Sequence, residues 1–220
     1  MVTCRNQRSV CFGAETFVVE ERVGASIGSR LSDGAIAMCQ YLAKLNANEL
    51  EPGSRVLELG AGVGLCSVVL RRLFPRVGVV VVSDRAENRE LIERNIAKNC
   101  GGGDIRFQTV DWSDDNSGLV ANDQHFQTVL ISDLVTGDRA LVEKLIKTLC
   151  DVTRPRSRVI LSQHSAIEDA SMVRLALLPR EHEAPRATPL QEFLRVIESN
   201  FGTEKEEEQK KTHTEKKNQI

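Results

Sequence analysis

The amino-acid sequence predicts an α/β protein, an open and mostly parallel sheet with helices on both faces. Strand-like apolar runs alternate with helical patterns from Arg55 to Ser162. Glycines at 60, 62 and 64 join the first of these strands to a helix. The run Val77 to Ser83 carries five valines, four of them consecutive from Val79 to Val82, as suits a strand covered on both faces.

Each element follows from spacing. From Asp33 to Leu45, Ile36, Cys39, Leu42 and Leu45 keep to one helical stripe, with Asp33 as the expected N-cap. Pro52-Gly53 breaks the chain, Arg55 to Leu59 forms a short strand, and Leu65 to Leu73 returns to helical spacing. After the Val77 to Ser83 strand comes a polar helix, Glu87 to Asn99, with Leu91, Ile92 and Ile96 inward. Strands are expected at Ile105 to Val110, Thr128 to Ser132 and Arg158 to Ser162, with a helix at Leu141 to Leu149. Leu190 to Ser199 has helical spacing through Phe193, Leu194 and Ile197. Beyond Phe201, five lysines face five glutamates and Ile220 is the only aliphatic residue, which predicts a solvated tail over 203–220 behind a domain of 1–202.

Composition narrows the class. The 220 residues are 41% apolar and 27% charged, which suits one globular domain, and the 4% aromatic share leaves the core to Val, Leu, Ile and Ala. Lys and Arg total 29 against 31 acidic residues, so no basic field argues for nucleic acid. The six cysteines are scattered singly, which fits a reducing, cytoplasmic setting and offers no metal-ligand spacing. Residues 1–12 lack the apolar core of a secretory signal, and Val77 to Val82 is far short of the ~20 residues that cross a bilayer. A monomer without membrane or nucleic-acid partners is expected.

The chemistry concentrates in Glu58-Leu-Gly60-Ala61-Gly62-Val-Gly64, after a strand and before a helix. In open α/β sheets, ligands bind beyond the carboxyl ends of the strands. A dinucleotide fingerprint would place its third glycine at 65, where Leu65 stands, and a pyrophosphate would avoid a carboxylate beside the helix start. S-adenosylmethionine has no phosphate and carries a sulfonium and an ammonium, so Glu58 is compatible with it. Asp84 ends the next strand and can accept both ribose hydroxyls. Asp111 and Trp112 end the third, offering an acceptor for the adenine amino group and an aromatic face for its ring. Ser132 and Asp133 extend the rim from the fourth. Each piece has a plainer use: turn glycines, an Asp84 helix cap, a Trp112 packing anchor, and an Asp133 cap for the helix near Arg139 to Leu149. Their order and spacing favour the nucleoside site.

These residues carry a resemblance. Gly28-Ser-Arg-Leu-Ser-Asp33-Gly-Ala-Ile-Ala-Met-Cys-Gln-Tyr-Leu42, Val56-Leu-Glu-Leu-Gly-Ala-Gly-Val-Gly-Leu65, Asn95 with Asn99, Asp111-Trp112, and Leu130-Ile-Ser-Asp133 resemble the seven-strand protein-lysine methyltransferases of the methyltransferase-like 21 group, from about Phe17 to Leu161. The resemblance implies a Rossmann-like class I methyltransferase sheet, contacts to S-adenosylmethionine from Gly60, Ala61, Gly62, Asp84, Trp112 and Ser132, and a protein lysine as acceptor. The chain departs from the family pattern in three respects. Ser32 stands where the family has Trp, Thr136 stands where its Asp-x-x-Tyr motif has Tyr, and no strand alternation follows Phe201 to supply the closing antiparallel pair.

The acceptor amine must be neutral to attack. A lysine with a reference pKa of ~10.4 needs a desolvating channel or a base, and Asp133 is the carboxylate at the rim. A protein-lysine methyltransferase leads this reading. Alternatives are a cofactor-binding module with weakened catalysis, a small-molecule N-methyltransferase and, more distantly, a dehydrogenase.

Overall fold

The computed structural model describes residues 4–23, 27–101, 103–112, 119, 125–134, 139–154, 156–164 and 173–177. Two strands open the chain, β1 (Cys4–Phe12) and β2 (Glu15–Val23), paired antiparallel as a hairpin through Gly13 and Ala14. Then come α1 (Asp33–Leu42), β3 (Arg55–Leu59), α2 (Leu65–Leu73), β4 (Val79–Asp84), α3 (Arg89–Asn99), β5 (Ile105–Thr109), β6 (Thr128–Ser132), α4 (Arg139–Val152), β7 (Arg158–His164) and β8 (Val173–Leu177). The main sheet has the order β5-β4-β3-β6-β7-β8; only β8 runs antiparallel to its neighbour. The expected α/β architecture is present.

Strand alternation builds two layers. Val56, Val80, Val82, Leu130 and Ile160 face a core formed with Met38, Cys39 and Leu42 of α1, Val69 and Leu70 of α2, Leu91 and Ile92 of α3, and Phe12 and Phe17 of the hairpin. Leu57, Leu59, Val81, Val129, Ile131 and Leu161 face the other way, against Leu145, Ile146 and Leu149 of α4. Burial on both faces explains why these strands read as continuous apolar runs.

The structure adds one element to the sequence reading and corrects two points. Residues 4–23, for which spacing predicted no element, form a hairpin. An antiparallel strand, β8, closes the sheet at 173–177, ahead of Phe201. At α1 the N-cap is Ser32, whose Oγ accepts the Ala35 N–H at 3.1 Å; Asp33 is the first helical residue. Ser32 has the extended backbone a cap requires, and Asp33 does not. The expected helix at Leu190 to Ser199, the tail and Thr136 lie outside the described residues.

Two asparagines of α3 hold the hairpin. Asn99 donates to Val18 O and accepts from Val18 N, both at 2.8 Å, and Asn95 does the same with Glu20, accepting at 2.8 Å and donating at 3.1 Å. Spaced one helical turn apart, their amides take the place of a neighbouring strand along the free edge of β2. Asn95 Nδ2 also donates to Val63 O at 2.8 Å, so the same side chain ties the hairpin to the glycine loop.

Candidate functional site

The chain leaves β3, builds β4 and β5 on one side, and crosses to place β6 on the other. The carboxyl ends of β3 and β6 therefore border the switch point where open sheets bind ligands. Gly60 to Gly64 follow β3 and Ser132 to Leu134 span the end of β6.

Gly60, Gly62 and Gly64 have φ of 61°, 57° and 77°, the left-handed region. A Cβ on Gly60 would stand 2.4 Å from Leu134 Cδ2, and one on Gly62 would stand 2.9 Å from Gly28 O. These glycines make room for the protein's own chain at the loop, from the end of β6 and from the segment before α1. Ala61 N donates to Ser83 O at 2.9 Å and Gly64 N to Ala61 O at 2.7 Å, which curls the loop into α2.

Asp84 lies against this loop. Its Oδ2 accepts from Gly62 N at 2.7 Å, and its Oδ1 accepts from Arg85 N at 2.7 Å and Asn88 Nδ2 at 3.0 Å. Burial pushes its pKa up, and the donors from Gly62, Asn88 and Arg85 pull it back. Three donors take three of the roughly four in-plane acceptor positions of a carboxylate, so one ribose hydroxyl fits at Oδ2 while a bidentate pair needs one donor to yield.

Glu58 is not at the loop surface. It is 1% exposed, faces the α1–α2 layer, and accepts the Ser67 N–H of α2 at 2.9 Å through Oε2. Burial pushes its pKa up to about 7, with the Ser67 and Cys66 groups beside it holding it down and the Asp84 charge adding to the rise. By hydrogen-bond geometry Oε1 has no partner.

Asp133 has a left-handed backbone at φ 52°, unusual for a residue other than glycine. Its N–H donates to Ser162 O at 2.9 Å, and its Oδ2 accepts the Gly34 N–H of α1 at 2.7 Å. The carboxylate caps α1, and Gly34 permits the approach, since a Cβ there would lie 2.4 Å from Asp133 Oδ1. Ser162 completes the arrangement by donating from Oγ to Gly34 O at 2.5 Å. Ser132 is buried, with Oγ 4.0 Å from Cys66 Sγ. One strand beyond Asp84, Asp111 is exposed and Trp112 is half-buried against the α4-side core.

The structure thus brings Gly60, Ala61, Gly62, Gly64 and Asp84 into one hydrogen-bonded unit, borders it with Ser132 and Asp133, and sets Glu58 beneath it. Sequence reading missed Gly34, Ser162 and Asn88. Of these only Gly34, inside a helical stripe, carried a local signal. Among the described residues no cluster of His, Cys, Asp or Glu could hold a metal ion, and no helix is long and apolar enough to cross a membrane.

A family described as lysine methyltransferase matches residues 13–174. Mouse "EEF1A lysine methyltransferase 3" is 27% identical over 128 residues, 57% of this chain and 52% of its own length. Mouse "Methyltransferase-like protein 22" is 33% identical over 95 residues, 41% of this chain and 23% of its own. The chain spans about half or less of the length of the curated relatives it matches. Among solved structures, a Streptococcus mutans protein described as a SAM-dependent methyltransferase superposes with a TM-score of 0.57 at 16% identity, covering 90% of this chain and 46% of that one. An O-methyltransferase family protein from Burkholderia thailandensis gives 0.50 at 16% identity, over 60% of this chain and 38% of that one. These neighbours carry the Rossmann-like methyltransferase fold, and with the family match over most of its length this chain belongs to the lysine methyltransferase family.

Proposed function

We propose that this protein transfers a methyl group from S-adenosylmethionine to a lysine side chain of a protein substrate. The carrying observation is the unit of glycine loop and Asp84 at the switch point, in a chain of the lysine methyltransferase family. The residues suit this cofactor: Asp84 lies against a loop whose third glycine is Gly64, off the dinucleotide spacing, and offers a ribose hydroxyl an acceptor. Gly60, Ala61, Gly62 and Gly64 shape the floor, Asp84 takes a ribose hydroxyl, Asp111 and Trp112 take the adenine, and Ser132 closes the β6 side. When bound, S-adenosylmethionine supplies an electrophilic methyl group on its sulfonium.

The protein's own contribution is placement. Orientation of donor and acceptor can supply ~7 kcal/mol or more of barrier reduction. Asp133, held by the Gly34 N–H, orients the acceptor amine and accepts its hydrogen bond. The same commitment to α1 favours a second reading, a cofactor-binding module with weakened catalysis. We further propose a cytoplasmic setting, supported by free thiols at Cys11, Cys39, Cys66, Cys100 and Cys150.

Incubation with labelled S-adenosylmethionine and a protein extract tests the proposal. Label on lysine of an identified protein is the expected result. Cofactor binding without any transfer, by the wild type and by Thr136→Tyr alike, would establish the second reading instead.

A further inference from the structure

Asn88 stands directly before α3, where an asparagine ordinarily caps the first turn, yet its side chain makes no cap bond. It points elsewhere. Nδ2 donates to Asp84 Oδ1 at 3.0 Å, and its Oδ1 accepts from Ser29 Oγ at 3.2 Å. Asn88 and Ser29 are 1% and 2% exposed. Gly28 makes the arrangement possible: a Cβ there would meet Asn88 Nδ2 at 3.1 Å. A polar relay therefore runs from the segment before α1, through the start of α3, to the carboxylate on the glycine loop.

We infer that Asn88 is a positioning residue for cofactor binding, fixing the plane of the Asp84 carboxylate, and that Ser29 acts through it. This rests on the proposed use of Asp84 for the ribose. The torsion that sets a carboxylate plane is broad and roughly two-fold, so the plane is set by its donors. Two of the three are backbone groups, Gly62 N and Arg85 N; Asn88 is the only side chain among them and the one a mutation can remove. Without it the carboxylate turns more freely, and its charged form loses a donor while remaining buried. The charged groups facing Asp84 are Arg85 and Glu58, which every variant below retains.

Calorimetric titration with S-adenosylhomocysteine tests the relay. Asn88→Ala is expected to bind about tenfold more weakly, the size of one hydrogen bond to a charged group. Ser29→Ala is expected to lose about threefold alone and nothing further in the Asn88→Ala background. The acid limb of the binding profile is expected to move to higher pH in Asn88→Ala, a shift that a merely structural asparagine would not cause. Unchanged affinity, an unmoved acid limb, or additive losses would overturn the inference. Tighter binding by Asn88→Ala would overturn it too, showing that Asn88 competes with the ribose for Asp84. Should Asn88→Ala lack native circular dichroism, Ser29→Ala carries the test through its own loss and limb shift. Failure of the wild type to bind overturns the cofactor reading and this inference with it, whereas normal wild-type binding with unchanged variants overturns this inference alone.

Discussion

Glu58 is a buried carboxyl group on the sheet face that carries Val56, Val80 and Leu130. Its folded pKa of about 7 lies above the 4.5 of an unperturbed glutamate. Between those values the folded protein keeps a proton that the unfolded chain has released, so stability falls as pH rises through the window and stays lower above it. The full difference is about 3 kcal/mol. Glu58→Gln keeps an oxygen for the Ser67 N–H and removes the charge, so it is expected to raise the melting temperature at pH 8 more than at pH 5. An equal gain at both pH values would show that this carboxyl does not titrate there. Asp84 makes the complementary case. Asp84→Ala is expected to weaken S-adenosylhomocysteine binding by ~1.5 to 3 kcal/mol, the range for bonds to a charged acceptor, and calorimetry reads it directly. Neither environment was legible in the sequence. The sequence put Glu58 beside the loop, but whether its side chain faced cofactor or core depended on the strand's alternation against helices not yet placed.

The hairpin is held at the level of elements. Asn95 and Asn99 satisfy the backbone of Val18 and Glu20, while Glu20 also pairs with Lys98 and with Arg94, which hold its carboxyl below its ordinary range. Asn99→Ala is expected to cost about 1 to 3 kcal/mol by leaving Val18 N and O unpaired, with faster hydrogen exchange confined to β1 and β2. Asn95→Ala should cost more and also loosen the glycine loop, because Val63 O loses its donor. Exchange that rises uniformly over the whole sheet would contradict this division. The same elements show what sequence patterning reads and what it misses. Strands β3, β4, β6 and β7 were legible because burial on both faces makes each rich in Val, Leu or Ile, with Glu58 the interruption in β3. The hairpin was not, because β1 is polar and exposed over Asn6 to Ser9; its available signal was the two-residue Gly13-Ala14 turn before the alternating Phe17, Val19 and Glu21. Ser32 reads as a lost tryptophan when set against relatives, and only the backbone of α1 shows it to be the cap.

For the whole molecule, ligand linkage gives a direct measurement. A cofactor product present at a hundred times its dissociation constant is expected to stabilise the protein by about 2.7 kcal/mol, visible as a raised melting temperature, and NAD at equal concentration is expected to leave it unchanged. Deleting residues 203–220 is expected to alter that temperature little, since the segment offers one aliphatic residue to bury. A fall of many degrees on truncation would show that the tail docks. The sheet order has a consequence for synthesis. Nearly everything that touches the glycine loop is complete once Val110 has been made, but β3, in the middle of the sheet, waits for Thr128 to Ser132 before its second edge is covered. During that interval Arg55 to Leu59 presents an open edge to neighbouring nascent chains, and a charge on Glu58 is expected to oppose its pairing with copies of itself. On this hypothesis the group that lowers the stability of the finished protein guards the unfinished one, so Glu58→Gln should yield a more heat-stable protein and a smaller soluble fraction on expression; equal soluble yields would show that the open edge needs no such guard.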